Sequence, residues 1–102
     1  MKIFLDDIRD IPEEYNYSVV RDYDSCISVL NVFKNKLEFV SLDYSLGSDK
    51  TGYDVLVYMA ENNIFPKRIN IHSDHSMGVP LMKEFIKNNF PKSIVPTFNR
   101  VA

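Results

Sequence analysis

The chain has 102 residues, a net charge of −2, and 45% hydrophobic against 25% charged residues, which suits one globular domain spanning 1–102. Its lysines and arginines are scattered, so the basic footprint of a duplex-DNA binder is missing, and no apolar run approaches the roughly 20 residues of a membrane span. A single cysteine, Cys26, excludes an internal disulfide, and with no secretory pattern at the start the expected location is cytoplasmic.

Lys2–Leu5 reads as a short buried strand running into Asp6-Asp7. The polar stretch Asp6–Asn16, broken by Pro12, predicts a loop or a single turn where a first helix would stand. Tyr17–Val20 alternates and is β-branched, so it reads as the second strand. Asp24-Ser25 offers an N-cap, and from Cys26 to Lys36 the recurrence of Cys26, Ile27, Leu30 and Phe33 predicts an amphipathic helix with Cys26 packed inside and Lys34 and Lys36 near its negative end. Glu38–Leu42 is the third strand, ending on Asp43.

The loop Asp43–Gly52 carries Gly47 and Gly52. Thr51-Gly52-Tyr53-Asp54 has the form of a capping box with Asp in place of Glu, and it opens a helix over Tyr53–Asn62 with Val55, Leu56 and Met59 inward. Arg68–Ile71 is the fourth strand, running into His72-Ser73 and a loop to Gly78. Pro80 suits the first turn of a helix that carries Leu81, Met82, Phe85 and Ile86 to about Asn89. Ser93–Val95 is the expected fifth strand, just before Pro96.

Strands alternating with helices imply an α/β fold: a three-layer sandwich around a five-stranded parallel sheet with flavodoxin-like topology and a degraded first helix. In such sheets ligands bind beyond the carboxyl ends of the strands, near the switch in strand order. Asp6, Asp7, Asp43, His72 and Ser73 all fall there. Three crowded carboxylates either raise a pKa or recruit a cation, and a hard divalent ion such as Mg²⁺ takes oxygen ligands of this kind. Arg9 follows the acidic pair closely, and its planar fork suits a phosphate. His72 is a candidate phosphoryl donor or general acid, against a purely structural role at the end of a buried strand. Alternation along the strand leaves open whether His72 or Ser73 faces the site. His75 lies in the loop beyond. Asp74, Thr51 and Arg100 read as surface residues, while Tyr44 and Tyr53 are either base-stacking or ordinary packing residues.

These motifs resemble the receiver domain of two-component response regulators over nearly the whole chain. The resemblance implies that Asp6, Asp7 and Asp43 hold Mg²⁺, that Asp43 is the phosphoacceptor position, and that Ser73, or His72 in its place, stands for the family's Thr/Ser. Gly52 matches the glycine opening the helix after the acceptor loop. Receivers carry a Lys before the proline at the end of strand five, where this chain has Val95-Pro96. The chain resembles more closely the divergent branch called the cyclic-phosphate processing receiver domain, through Leu5-Asp6-Asp7-Ile8-Arg9 with Pro12, Ser41-Leu42-Asp43, Thr51-Gly52-Tyr53-Asp54-Val55, and Ile71-His72-Ser73 with Gly78 and Met82. That branch has Asn where this chain has His75.

The expected function is a metal-dependent phosphate site that binds and hydrolyses a cyclic phosphate in a nucleotide or at an RNA end. Asp43, His72 and Arg9 would be its catalytic set, with Arg9, His72, Ser73 and His75 on the phosphate and Asp6, Asp7 and Asp43 on the metal. The alternatives are a non-catalytic module holding a small phosphorylated or cyclic nucleotide, and a phosphoacceptor domain in signalling. A homo-oligomer is left open, and neither a membrane nor duplex DNA is an expected partner.

Overall fold

A computed structural model describes residues 1–100. Five parallel strands form one sheet: β1 (Lys2–Leu5), β2 (Ser18–Val20), β3 (Phe39–Leu42), β4 (Arg68–Ile71) and β5 (Thr97–Phe98), in the order β2-β1-β3-β4-β5. Three helices connect them, α1 (Tyr23–Phe33), α2 (Gly52–Glu61) and α3 (Gly78–Asn89). No helix among the described residues is long and apolar enough to cross a membrane.

Strand order and crossover handedness together decide what covers each face. The β1-to-β2 connection moves one way along the sheet, and the later three move the other way. If all four are right-handed, the first lies on one face and the three helices share the opposite one. The packing agrees. Ile3, Leu5, Val20, Val40, Leu42, Ile69 and Ile71 form one buried cluster with Cys26 and Leu30 of α1, Val55, Leu56 and Met59 of α2, and Met82 and Ile86 of α3.

The other face carries Phe4, Phe39, Ser41 and Asn70, all buried. Among the described residues no regular helix covers it; the loop after β1, with one 3-10 turn at Glu13–Tyr15, and the segment after β5 lie over it. Aromatic and cationic side chains help to roof it. Phe4 meets Tyr17 edge-on, Tyr17 meets Phe39 in the same way, the Arg68 guanidinium lies 4.5 Å from the Phe39 centroid, and the Lys2 ammonium lies 5.1 Å from that of Tyr17.

Two expected elements are displaced. The α1 N-cap is Asp22, whose carboxylate accepts from the Ser25 N–H at 2.8 Å, and Asp24 falls within the first helical turn. The fifth strand is Thr97–Phe98, whereas Ser93–Val95 was expected. Ile94 closes a turn on Pro91, and Val95 is 74% exposed. Pro96 has no N–H to give to a ladder, so pairing starts after it, with Thr97 opposite Asn70 and Phe98 opposite Ile71. The other boundaries fall within a few residues of expectation, and Thr51 N–H donates to the Asp54 carboxylate at 2.8 Å, as the capping box requires.

Buried Cys26 has its thiol pushed up to about 12 by desolvation, with the charge of Asp22 adding to the effect. It is a packing residue and not a reactive thiolate.

Candidate functional site

One period-two alternation builds the centre of the site. Phe4, Ser41 and Asn70 lie side by side on the face without helices, in register across β1, β3 and β4. Two residues further along each strand come Asp6, Asp43 and His72, so their side chains emerge on that same side at the carboxyl edge. The backbone ladder runs one step past the strands: Asp43 N–H donates to Leu5 O and His72 N–H to Leu42 O, both at 3.0 Å. Asp6, Asp43 and His72 each offer one ligand atom within 4.8 Å of the others. The sheet changes direction between β1 and β3, so this is the switch point of the fold.

Asp6 is buried, and both of its oxygens are engaged. Oδ1 accepts from the backbone N–H groups of Ile8 at 3.0 Å and Arg9 at 2.7 Å. Oδ2 accepts from His72 Nε2 at 3.2 Å and lies 3.8 Å from Arg9 Nε. Burial acts to raise this carboxyl's pKa, but the two backbone donors, with the imidazole of His72 and the charge of Arg9 beside it, outweigh it, and the net shift is downward. Asp6 is thus held ionised.

Asp43 shifts the other way. Desolvation raises its pKa first and the charge of Asp6 second, with Asp7 adding a smaller push, against hydrogen bonds from Ser73 and from the Tyr44 N–H at 2.7 Å. A carboxyl held up by a neighbouring carboxylate is one whose ionisation a cation would favour. Two carboxylates this close suit a hard divalent ion.

His72 is lowered, chiefly by desolvation, with the Asp6 charge and hydrogen bond opposing the shift. It is therefore neutral at pH 7, and its tautomer follows from its partners. An ionised carboxylate only accepts, so Nε2 carries the proton that Asp6 receives. Nδ1 is then an acceptor, and the Ser41 hydroxyl, 2.7 Å away, donates to it. Asn70 Nδ2 donates to Ser41 Oγ at 3.0 Å. Asn70 Oδ1 accepts from Thr97 Oγ1 at 2.8 Å and from Arg100 N–H at 3.1 Å, and Nδ2 donates also to Arg100 O. A hydrogen-bonded line thus runs from β5 through β4 and β3 to the Asp6 carboxylate. Among the described residues no buried side-chain N or O atom lacks a partner. The Phe4 ring stacks on His72, with centroids 4.2 Å apart and planes 5° apart, so the imidazole is fixed in orientation as well.

Ser41 and Asn70 escaped the sequence reading. The signal for them was a single polar residue inside each of two otherwise apolar strands, Phe39-Val40-Ser41-Leu42 and Ile69-Asn70-Ile71.

The other expected residues stand around this centre. His72 and Ser73 both reach acidic groups, His72 touching Asp6 and Ser73 touching Asp43. Asp7 is half-buried outside the three-residue cluster, near enough to Gly47 that a Cβ there would meet its Oδ2 at 3.0 Å. Arg9 lies at the rim with its side chain 56% exposed. His75 is away from the cluster, its Nδ1 accepting from the Gly78 N–H at 2.9 Å and its ring tilted against Tyr44 at 4.4 Å. Thr51 precedes α2, Tyr53 packs edge-on against Phe85, and Asp74 is exposed.

Two glycines hold the loops of this edge close. A Cβ on Gly52 would come 2.0 Å from the Asp43 carbonyl oxygen, and one on Gly78 would enter the Tyr44 ring. We expect Gly52→Ala to push the Asp43 backbone outward and weaken divalent-ion binding by about tenfold or more, an effect on the scale of lost supporting contacts around a metal. Calorimetric titration with Mg²⁺ checks this; unchanged affinity in a folded variant contradicts it.

A family model of the cyclic-phosphate processing receiver domain matches residues 1–88, through β1 to α3. No curated protein and no solved structure matches the chain. The parallel sheet with its β2-β1-β3-β4-β5 order is the receiver-like one that this family implies. This chain belongs to the cyclic-phosphate processing receiver domains.

Proposed function

We propose that the protein binds a cyclic phosphate, in a nucleotide or at an RNA end, and opens it by metal-assisted hydrolysis. The observation that carries this reading is the Asp6–Asp43–His72 cluster at the switch point of the sheet, within a family tied to cyclic-phosphate processing.

Asp6 and Asp43 would hold Mg²⁺ or a similar hard ion, with Asp7 joining from the rim. Bound there, the ion would polarise phosphoryl oxygens and acidify a coordinated water. The chain's own residues supply the rest. Arg9 offers the phosphate a guanidinium, the fixed positive charge that phosphoryl chemistry needs. Neutral His72 carries a proton on Nε2, the atom facing the acidic groups, and can donate a hydrogen bond from it to a phosphoryl oxygen, while the alkoxide released when the ring opens takes up the proton lost by the attacking water. The Ser41 hydroxyl keeps that tautomer in place. Ser73, bonded to Asp43, orients the carboxylate.

A second reading has its own observation. Asp6 already accepts from two backbone N–H groups and from His72, which leaves it little free coordination capacity. A site of that kind fits a module that holds a phosphorylated ligand without turning it over. Incubation with a cyclic mononucleotide, and separately with an RNA oligomer ending in a cyclic phosphate, distinguishes the two by phosphorus NMR. Hydrolysis predicts a Mg²⁺-dependent shift of the strained cyclic resonance to that of a monoester, abolished by chelation. Binding with full recovery of the cyclic ligand overturns the catalytic reading and supports the module.

A further inference from the structure

Moving the fifth strand from 93–95 to 97–98 changes what stands at its carboxyl end. The residues there are Asn99 and Arg100, beyond the span that matches the family. Asn99 takes a left-handed conformation (φ 54°), which Asn tolerates better than most residues. The chain turns back there, and both backbone groups of Arg100 bond to the Asn70 side chain.

This turn completes a cavity of about 170 Å³ whose lining includes Phe4, Arg9, Pro12, His72, Asn99 and Arg100. None of Asp6, Asp7, Asp43 or Ser73 lines it. Phe4 and His72, whose rings stack on each other, both line it, and so do two arginines, Arg9 and Arg100. Among the described residues Arg100 has no carboxylate within 4.0 Å, and Arg9 has only Asp6, at 3.8 Å through Nε. Asp10 also borders the cavity, but its carboxylate is taken by Arg21. The space is well below the roughly 300–1,000 Å³ of a pocket that encloses a whole drug-sized ligand. It suits one compact anion with the remainder of its molecule outside.

We propose that Arg9 and Arg100 form a metal-independent subsite for a phosphate group over the Phe4–His72 stack. It deepens the phosphate-site reading by giving the ligand a second anionic anchor apart from the metal-binding carboxylates. Two forked donors with little counter-charge favour a tetrahedral oxyanion over a monovalent halide. In this fold the strand-five cation is thus supplied after the strand, by an arginine.

The test uses inorganic phosphate in the presence of a chelator, followed by nitrogen-edited NMR of the arginine Nε–H groups, with chloride at matched ionic strength as reference. We expect saturable shifts at Arg9 and Arg100. Arg100→Gln should weaken phosphate binding by about tenfold or more, the scale of a lost charge-assisted contact. Lys87→Gln, which removes an equal charge from α3, should leave it unchanged. Absence of saturable shifts, equal weakening by both substitutions, or equal response to chloride overturns the subsite. None of these results depends on turnover, so loss of the hydrolysis reading and loss of the subsite are separately visible.

Discussion

Replacing Asp43 by Asn is expected to stabilise the metal-free protein and to disable it. The pKa of Asp43 is raised in the folded state, first by burial and then by the charge of Asp6. A carboxyl with a raised folded pKa prefers to be protonated in the fold. Above its unfolded value, near 4, its ionisation therefore opposes folding. The neutral amide of Asp43→Asn would remove that opposition, so the metal-free variant should melt higher than the wild type at neutral pH. The difference should vanish in acid below the unfolded pKa, where both forms are uncharged. Divalent-ion affinity should move oppositely, falling by about a hundredfold or more, because an anionic ligand is lost. Hydrolysis of a cyclic phosphate should fall with it. Thermal unfolding with and without Mg²⁺, at neutral and acidic pH, and a hydrolysis assay check all three. A variant that melts lower than wild type without metal, or that retains metal affinity, contradicts this electrostatic account.

The second large effect is expected at Ser41, a residue that touches no solvent and, in the proposed reaction, no substrate. Its hydroxyl accepts from Asn70 and donates to His72 Nδ1. Ser41→Ala leaves His72 Nδ1 and one N–H of the Asn70 amide, whose other N–H keeps Arg100 O, without a partner, each costing about 1–3 kcal/mol. A total of about 2–6 kcal/mol is a large share of the stability of a domain this size. It corresponds to a fall in melting temperature of more than about 8 °C. The variant should also release the tautomer of His72, which nitrogen NMR of the imidazole reports directly. A mainly structural role would lower stability and leave that signature unchanged. Ser41→Thr keeps the hydroxyl and should restore the His72 signature, even where its added methyl group costs packing. Loss of hydrolysis in Ser41→Ala at a temperature where the protein is folded would tie the tautomer to chemistry.

Much of the architecture was legible because local rules and global fold agree. The apolar strands, the helix after Thr51 and the turn-like first connection each follow from patterning over a few residues. Right-handed crossovers then convert that order into a sheet with its helices on one face. Boundaries slipped where two local signals competed. Along the chain Asp24-Ser25 reads as the cap of α1, and only the geometry shows the carboxylate of Asp22 reaching Ser25. At the fifth strand the apolar Ile94-Val95 outweighed the two residues past Pro96, because periodicity does not register that proline withholds a ladder donor.

For the site, the sequence by itself determined which acidic and basic residues stand at the ends of β1, β3 and β4, since strand termini follow from where apolar runs stop. Register then brings Asp6, Asp43 and His72 to the same side. Tertiary structure alone decided the rest. Side chains from strands far apart in sequence share one buried hydrogen-bonded line, so the roles of Ser41 and Asn70, the ionisation of Asp6 and the tautomer of His72 depend on partners that no local pattern reveals. The cation at strand five is of the same kind. Arg100 reads as a surface residue along the chain, and becomes part of a cavity wall only because Asn99 turns the backbone over Asn70.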